Sequence, residues 1–169
     1  IAQCGDTPLA CDIHIDTGML RLGLPADELN ELAADPARLQ CLDVQLVMSH
    51  FASADVENTN RSARQLMAFR AAREKLPMGR TSLANSAGIF LGAEYRGDVV
   101  RPGIALYGCN PTPWTENPMR PVITLSAQIL QVRHVAPGET VSYGATHAVD
   151  KPSKIATVAA GYADGYLRS

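Results

Sequence analysis

The sequence predicts an α/β region followed by a region of β-structure, and three observations support this. Strand-like and helix-like segments alternate over residues 1–109, the pattern of βα units around a parallel sheet. Prolines then cluster at Pro111, Pro113, Pro118 and Pro121, as at a linker between domains. Beyond them the hydrophobic period becomes two: Ile123, Leu125, Ala127 and Ile129 alternate with Thr124, Ser126 and Gln128, which is strand patterning.

Residues 9–16 (LACDIHID) are apolar with β-branched members and read as the first strand, ending at Thr17-Gly18. Pro25, Asp27 and Glu28 start a helix that continues through Leu29 and Leu32, with proline early and acids in the first turn. Residues 42–49 (LDVQLVMS) form the second strand. Residues 60–76 are rich in good helix formers and stop before Pro77. Residues 81–84 read as a short strand, with Ser86 capping a short helix through Leu91. Residues 98–107 (DVVRPGIALY) read as a last buried strand, interrupted by Pro102-Gly103. These units fit half of an eight-stranded barrel or a small open sheet, since a closed barrel normally needs ~250 residues.

Past the linker, the alternation changes phase at Leu130 and Val132, as at a β-bulge. Pro137-Gly138 is a type II turn by residue preference. Residues 140–143 and 154–160 are further strands, and His134 and His147 fall on polar, exposed positions. The expected domains are 1–109, a linker over 110–121, and 122–169.

Composition narrows the function classes. With 46% apolar and 19% charged residues and a net charge of −2, the chain fits a globular protein rather than a disordered one. The near-neutral balance and the 5% aromatic content argue against a nucleic-acid binder. No apolar run approaches the ~20 residues of a membrane helix. The four cysteines Cys4, Cys11, Cys41 and Cys109 show no C-x-x-C spacing, so reduced thiols in a cytoplasmic protein are expected. The chain begins at Ile1 without Met or signal peptide and stops at Ser169 after a Gly- and Tyr-bearing stretch. An internal segment of a longer protein is expected.

Chemistry concentrates at five places. Residues 16–23 (DTGMLRLG) follow the first strand, at the end where βα folds carry active-site loops. Arg21 there can bind a carboxylate, phosphate or phenolate, or sit on the surface of an ordinary turn. His50, after the second strand, is a candidate acid, base or orienting donor, or a histidine satisfied by nearby backbone. Ser86 follows the third strand, and Gly103-Ile104 follow Arg101 in an otherwise apolar run. Together Ser86, Gly103 and Ile104 can converge on one phosphate. Arg101 there needs a partner to offset its burial. Residues 161–166 (GYADGY) place Tyr162 among glycines. They also fit an Asp-Gly hairpin turn, and a phenol becomes a base only if its pKa falls from about 10. His14 and Asp16 form a conceivable H-x-D metal pair without a third ligand at a telling spacing, so no metal is expected.

The motifs DTGMLRLG, SHFASAD, LANSAG, RPGIALYG and GYADGY, in this order, resemble those of the alanine racemases across nearly the whole chain. The resemblance implies the second half of a (β/α)8 TIM barrel followed by the start of a C-terminal β-domain. It implies a pyridoxal 5'-phosphate (PLP) enzyme that interconverts L- and D-alanine, supplying D-alanine for bacterial peptidoglycan, and acts as a cytoplasmic homodimer. Ser86, Gly103 and Ile104 match residues that hold the cofactor phosphate, and Arg101 matches the Arg facing the pyridine nitrogen. Tyr162 matches the catalytic Tyr that exchanges the α-proton on the L-face, acting across the dimer. His50 resembles the His linking that Tyr to the Arg, and positive charge of this kind lowers a phenol's pKa. Arg21 matches the Arg near the cofactor phenolic oxygen and the substrate carboxylate.

Two departures accompany the resemblance. His14 stands where many relatives carry a lysine, often carbamylated, that steadies the Arg. No segment matches the strand carrying the lysine that holds the cofactor covalently, and Lys75, Lys151 and Lys154 are misplaced for that role. The segment alone is therefore expected to be inactive. A broad-specificity amino-acid racemase of the same fold is separated by turnover of serine, lysine or arginine. A non-catalytic PLP-binding fragment is separated by absorbance near ~420 nm, and a zinc hydrolase on His14, Asp16 and His50 by a metal assay.

Overall fold

The computed structural model describes residues 7–166. The chain divides into two compact units, Ile1–Ile123 and Thr124–Ser169.

In the first unit, β1 (Leu9–His14), β2 (Leu42–Met48) and β3 (Arg80–Ser82) form a parallel three-stranded sheet in that order. The register sets His14 beside Met48 and Met48 beside Ser82. The loops leaving the three strands therefore emerge side by side at the C-terminal edge. Parallel strands need long crossovers, usually helical: α1 (Ala26–Ala34) and α2 (Arg61–Arg73) supply them. Pro25 precedes α1, and Asp27 and Glu28 occupy its first turn, favourable at the positive end of the helix dipole. The buried face of α2 carries Ser62, Gln65, Leu66, Phe69 and Ala72, the spacing of one helical stripe. It ends at Arg73, short of the expected 76. Lys75 and Leu76 donate to the carbonyls of Ala72 and Arg73, so the last turn tightens to i−3 bonds ahead of Pro77. Ile13, Ile15, Leu29, Val44, Val47, Phe51, Leu66, Phe69 and Leu83 belong to one buried core between sheet and helices.

Two expectations for this unit are corrected. Residues 98–107 form no strand. The Asp98 and Val99 N–H groups donate to the Thr81 carbonyl, and the Arg101 N–H to that of Ala84. The segment thus follows β3, but Pro102 lacks an N–H to continue a ladder, and Ile104–Tyr107 closes into a 3₁₀ helix. Ser86 does not cap α3 (Gly88–Leu91). Asn85 does so instead, its Oδ1 accepting from the Gly88 N–H at 3.0 Å. The observed architecture is a three-stranded parallel α/β unit, without the fourth strand expected for half a barrel.

In the second unit, β4 (Ile129–Val135) pairs antiparallel with β7 (Ser153–Val158), and β5 (Thr140–Val141) with β6 (His147–Ala148). The β4–β7 register shifts between Ile129 and Gln131, where the alternation changes phase. The Glu139 N–H closes the Pro137-Gly138 turn on the Ala136 carbonyl, and Gly138 has φ +88°, as type II requires. His134 and His147 are exposed. The strand expected from Ile123 starts only at Ile129, where pairing with Val158 of β7 begins; Ile123 and Leu125 are exposed.

The expectation of reduced thiols holds for Cys11 and Cys109, which are free, but not for Cys41, which is disulfide-bonded. Cys4 lies outside the described residues.

Candidate active site

His50, Asn85, Ser86, Arg101, Gly103 and Ile104 line one cavity of about 370 Å³ at the C-terminal edge of the sheet. That volume suits a small molecule, for which ~300–1,000 Å³ is usual. A larger cavity of about 690 Å³ lies between Cys11, Leu32, Leu39 and Leu42. It holds none of the sequence-predicted site residues.

Arg101 is the centre of the site. It is half-buried, and its guanidinium donates to the Ser82 hydroxyl and the Ser49 carbonyl. Burial pulls its pKa down from the usual arginine value, but arginine stays ionised in proteins. Among the described residues no carboxylate pairs with it and its Nε–H has no partner. A desolvated cation whose described partners are all neutral groups leaves charge and a donor for a ligand.

His50 sits between two donors. Arg101 Nη2 approaches its Nδ1 at 3.4 Å, and Asn85 Nδ2 approaches its Nε2 at 3.4 Å. Asn85 cannot turn round: its Nδ2 donates to the Phe51 carbonyl at 3.2 Å while its Oδ1 accepts from Gly88. An imidazolium would present N–H to donors on both sides, so this setting favours the neutral ring. Burial first, then the charges of Arg101, Arg21 and His14, hold its pKa below 6.5.

Ser86 is buried, and its Oγ accepts from the Gly103 N–H at 2.8 Å and the Ala105 N–H at 3.3 Å. Its own hydrogen remains free to donate. The Ile104 N–H has no partner among the described residues. A Cβ on Gly103 would meet only Ser86 Oγ, at 4.0 Å, so backbone lies open to a ligand there. Small exposed backbone, an N–H without a described partner and a hydroxyl donor are groups that can take an anion.

The Asp16 carboxylate accepts from Gly18, Met19 and Leu20 N–H groups at 2.8–3.2 Å. Burial pushes this carboxyl up, but the three backbone donors outweigh it and the net direction is down. Asp16 thereby shapes the loop that presents Arg21. Its two oxygens are taken up by that loop's backbone. Among the described residues no group of three metal-ligating side chains occurs. Arg21 is exposed and does not line the cavity, although His50 feels its charge. His14 is held below 6.5 by burial and by the charge of Arg101.

In the second unit, Tyr162 starts a 3₁₀ turn (Tyr162–Asp164) and is 68% exposed. The Asp164 carboxylate accepts from the Gly161 N–H at 2.9 Å, and Gly165 takes φ +80°. The turn is thus not the expected two-residue hairpin.

Sequence reasoning gave no role to Ser49, Ser82, Asn85, Thr17 or Gln65, which hold these groups. Gln65 carried one readable sign, a carboxamide inside the apolar stripe of α2.

Residues 1–111 match the alanine racemase N-terminal domain family and residues 122–169 the alanine racemase C-terminal domain family. The chain is similar to an alanine racemase of Acidiphilium cryptum (strain JF-5), 50% identical over 93% of this chain and 44% of the relative. It therefore spans less than half the length of that relative. It is also similar to the biosynthetic alanine racemase of Pseudomonas aeruginosa (TM-score 0.80, 37% identity, 97% of this chain and 46% of that one). The alanine racemase of Bartonella henselae, with covalently bound pyridoxal phosphate, aligns with TM-score 0.76 and 38% identity over 94% of this chain and 44% of that one.

Proposed function

The chain belongs to the alanine racemase family, and on that premise we propose that the protein containing it interconverts L- and D-alanine with PLP. One observation carries this reading: an ionised Arg101 without a carboxylate partner, a neutral His50 and the Ser86–Gly103–Ile104 donors line a single cavity. This donor set fits the cofactor. Its dianionic phosphate suits the Ser86 hydroxyl, the Ile104 N–H and the open backbone at Gly103, and its ring nitrogen suits a donor that cannot give up its proton.

Bound PLP supplies the electron sink for the charge left when the alanine α-proton departs. Arg101 would face the ring nitrogen as a donor that cannot give up its proton, which would moderate that sink. His50, accepting at Nδ1 from Arg101, would link that Arg to the Tyr162 phenol of a second subunit. Tyr162 removes or returns the α-proton on the L-face. A lysine outside this chain serves the opposite face. Arg21 binds the substrate carboxylate and the cofactor phenolic oxygen, with His14 in place of the carbamylated lysine of many relatives. In this reading residues 1–109 are the C-terminal half of a (β/α)8 barrel, 110–121 the linker and 122–169 the first part of a β-domain. The enzyme is a cytoplasmic homodimer. Among the described residues no helix is long and apolar enough to cross a membrane.

The test uses the full-length protein saturated with PLP and given L-alanine, with products resolved by chiral chromatography. Approach to equal amounts of both enantiomers supports the reading; no D-alanine from fully loaded protein rejects it.

A further inference from the structure

We infer that Gln65 is a positioning residue for the site: its buried carboxamide ties the loop carrying His50 to the loop carrying Arg21. The mechanistic part of this inference rests on the racemase reading above; the geometric part does not.

Gln65 lies on the core face of α2 and is only 4% exposed. Burying a carboxamide there is costly unless its polar atoms are partnered, and they are. Its Oε1 accepts from the Ala52 N–H at 2.9 Å, and its Nε2 donates to the His50 carbonyl at 2.9 Å and to Thr17 Oγ1 at 3.3 Å. The amide orientation is fixed, because a flip would set two donors together at Ala52 and two acceptors together at His50. Thr17 Oγ1 also bonds Ser49 Oγ at 2.7 Å.

One side chain on a helix therefore grips the backbone on both sides of Phe51 and, through Thr17, the start of the Asp16–Arg21 loop. Burial on this face does not by itself bring partners, since Ser62 Oγ on the same face has none among the described residues. Held by a rigid element, His50 keeps its approach to Arg101. Sites need such support, because a ~1 Å displacement can cost about 10²-fold in rate. The Ser86–Gly103–Ile104 donors take no part in this network.

Gln65→Met in the full-length, PLP-loaded protein keeps the volume and removes the three bonds. A kcat loss of roughly ten- to a hundredfold is expected, with PLP affinity changed by less than about threefold. The His50 titration, followed by NMR of labelled histidine, moves from its wild-type position. Unchanged kcat with an unchanged His50 titration overturns the inference. So does a kcat loss that merely tracks lost PLP occupancy. If Gln65→Met does not fold, Thr17→Val removes only the tie between the loops. Because Thr17 Oγ1 bonds both Gln65 and Ser49, the substitution should lower kcat/KM roughly five- to a hundredfold, the worth of two neutral hydrogen bonds, and no change overturns the proposal. Should wild-type protein loaded with PLP fail to racemise alanine, the racemase reading falls, and the His50 titration alone still decides the role of Gln65.

Discussion

The two units of the chain hold their candidate functional groups in opposite ways. In residues 1–123 the polar side chains of His50, Asn85, Ser86 and Arg101 are buried or half-buried and locked by hydrogen bonds, whereas Arg21 is exposed. Arg101 spans Ser82 and Ser49, Asn85 is fixed at both ends, and Ser86 gathers two backbone N–H groups. In residues 124–169 the only described residue that is buried is Val149. There Tyr162 stands on an exposed turn whose bonds, Gly161 to Asp164 and Gly165 to Tyr162, are all local. On the proposed reading, the difference separates a binding function, preorganised within its own unit, from a proton-transfer group presented for use elsewhere. In the proposed dimer, that place is a second subunit's cavity.

Substitutions on each side should therefore break different properties. Tyr162→Phe in the full-length enzyme should lower racemisation most, by about 10²–10⁴-fold, the usual worth of a general acid–base. PLP affinity should stay as it was, because no cavity residue is altered. Both directions of turnover and a fluorescence titration of PLP check this. Arg101→Lys keeps the charge but loses the fork that spans Ser82 and Ser49; kcat should drop by about 10²-fold, measured at saturating cofactor. Ser86→Ala should act on binding, weakening PLP roughly ten- to a hundredfold for loss of a hydrogen bond to a charged group. At saturating PLP it should leave much of kcat.

The smallest effect concerns pH. Both His50 and His14 titrate below 6.5 in the folded chain, from burial and then neighbouring cations. The unfolded chain thus takes up these protons more readily. The stability they contribute is complete above pH 6.5 and declines as pH falls from there through the depressed folded values. Urea midpoints should drop below that pH, and His50→Gln should flatten the drop. A flat wild-type curve contradicts the sign.

The sheet of the first unit was legible because β1 and β2 are compact apolar runs and α1 opens on Pro, Asp and Glu. The candidates His50, Ser86, Arg101, Gly103 and Ile104, which line one cavity, could be picked out in the sequence because short motifs carry them. The segment around Arg101 was misread as a strand: its apolar character is real, but Pro102 removes the ladder. The strand from Ile123 was misread because alternation shows only which residues share a face, not whether a partner strand lies alongside. The roles of Ser49, Ser82 and Gln65 were illegible because they depend on contacts between residues far apart in the chain, as Arg101 with Ser82 and Ser49. No local pattern encodes such contacts.

The division of labour between the units is tested most directly by solvent deuterium exchange at the α-carbon in PLP-loaded Tyr162→Phe enzyme. L-alanine should stop exchanging while D-alanine continues through the base on the opposite face. L-alanine exchanging as fast as in wild type would contradict the assignment of Tyr162 to the L-face.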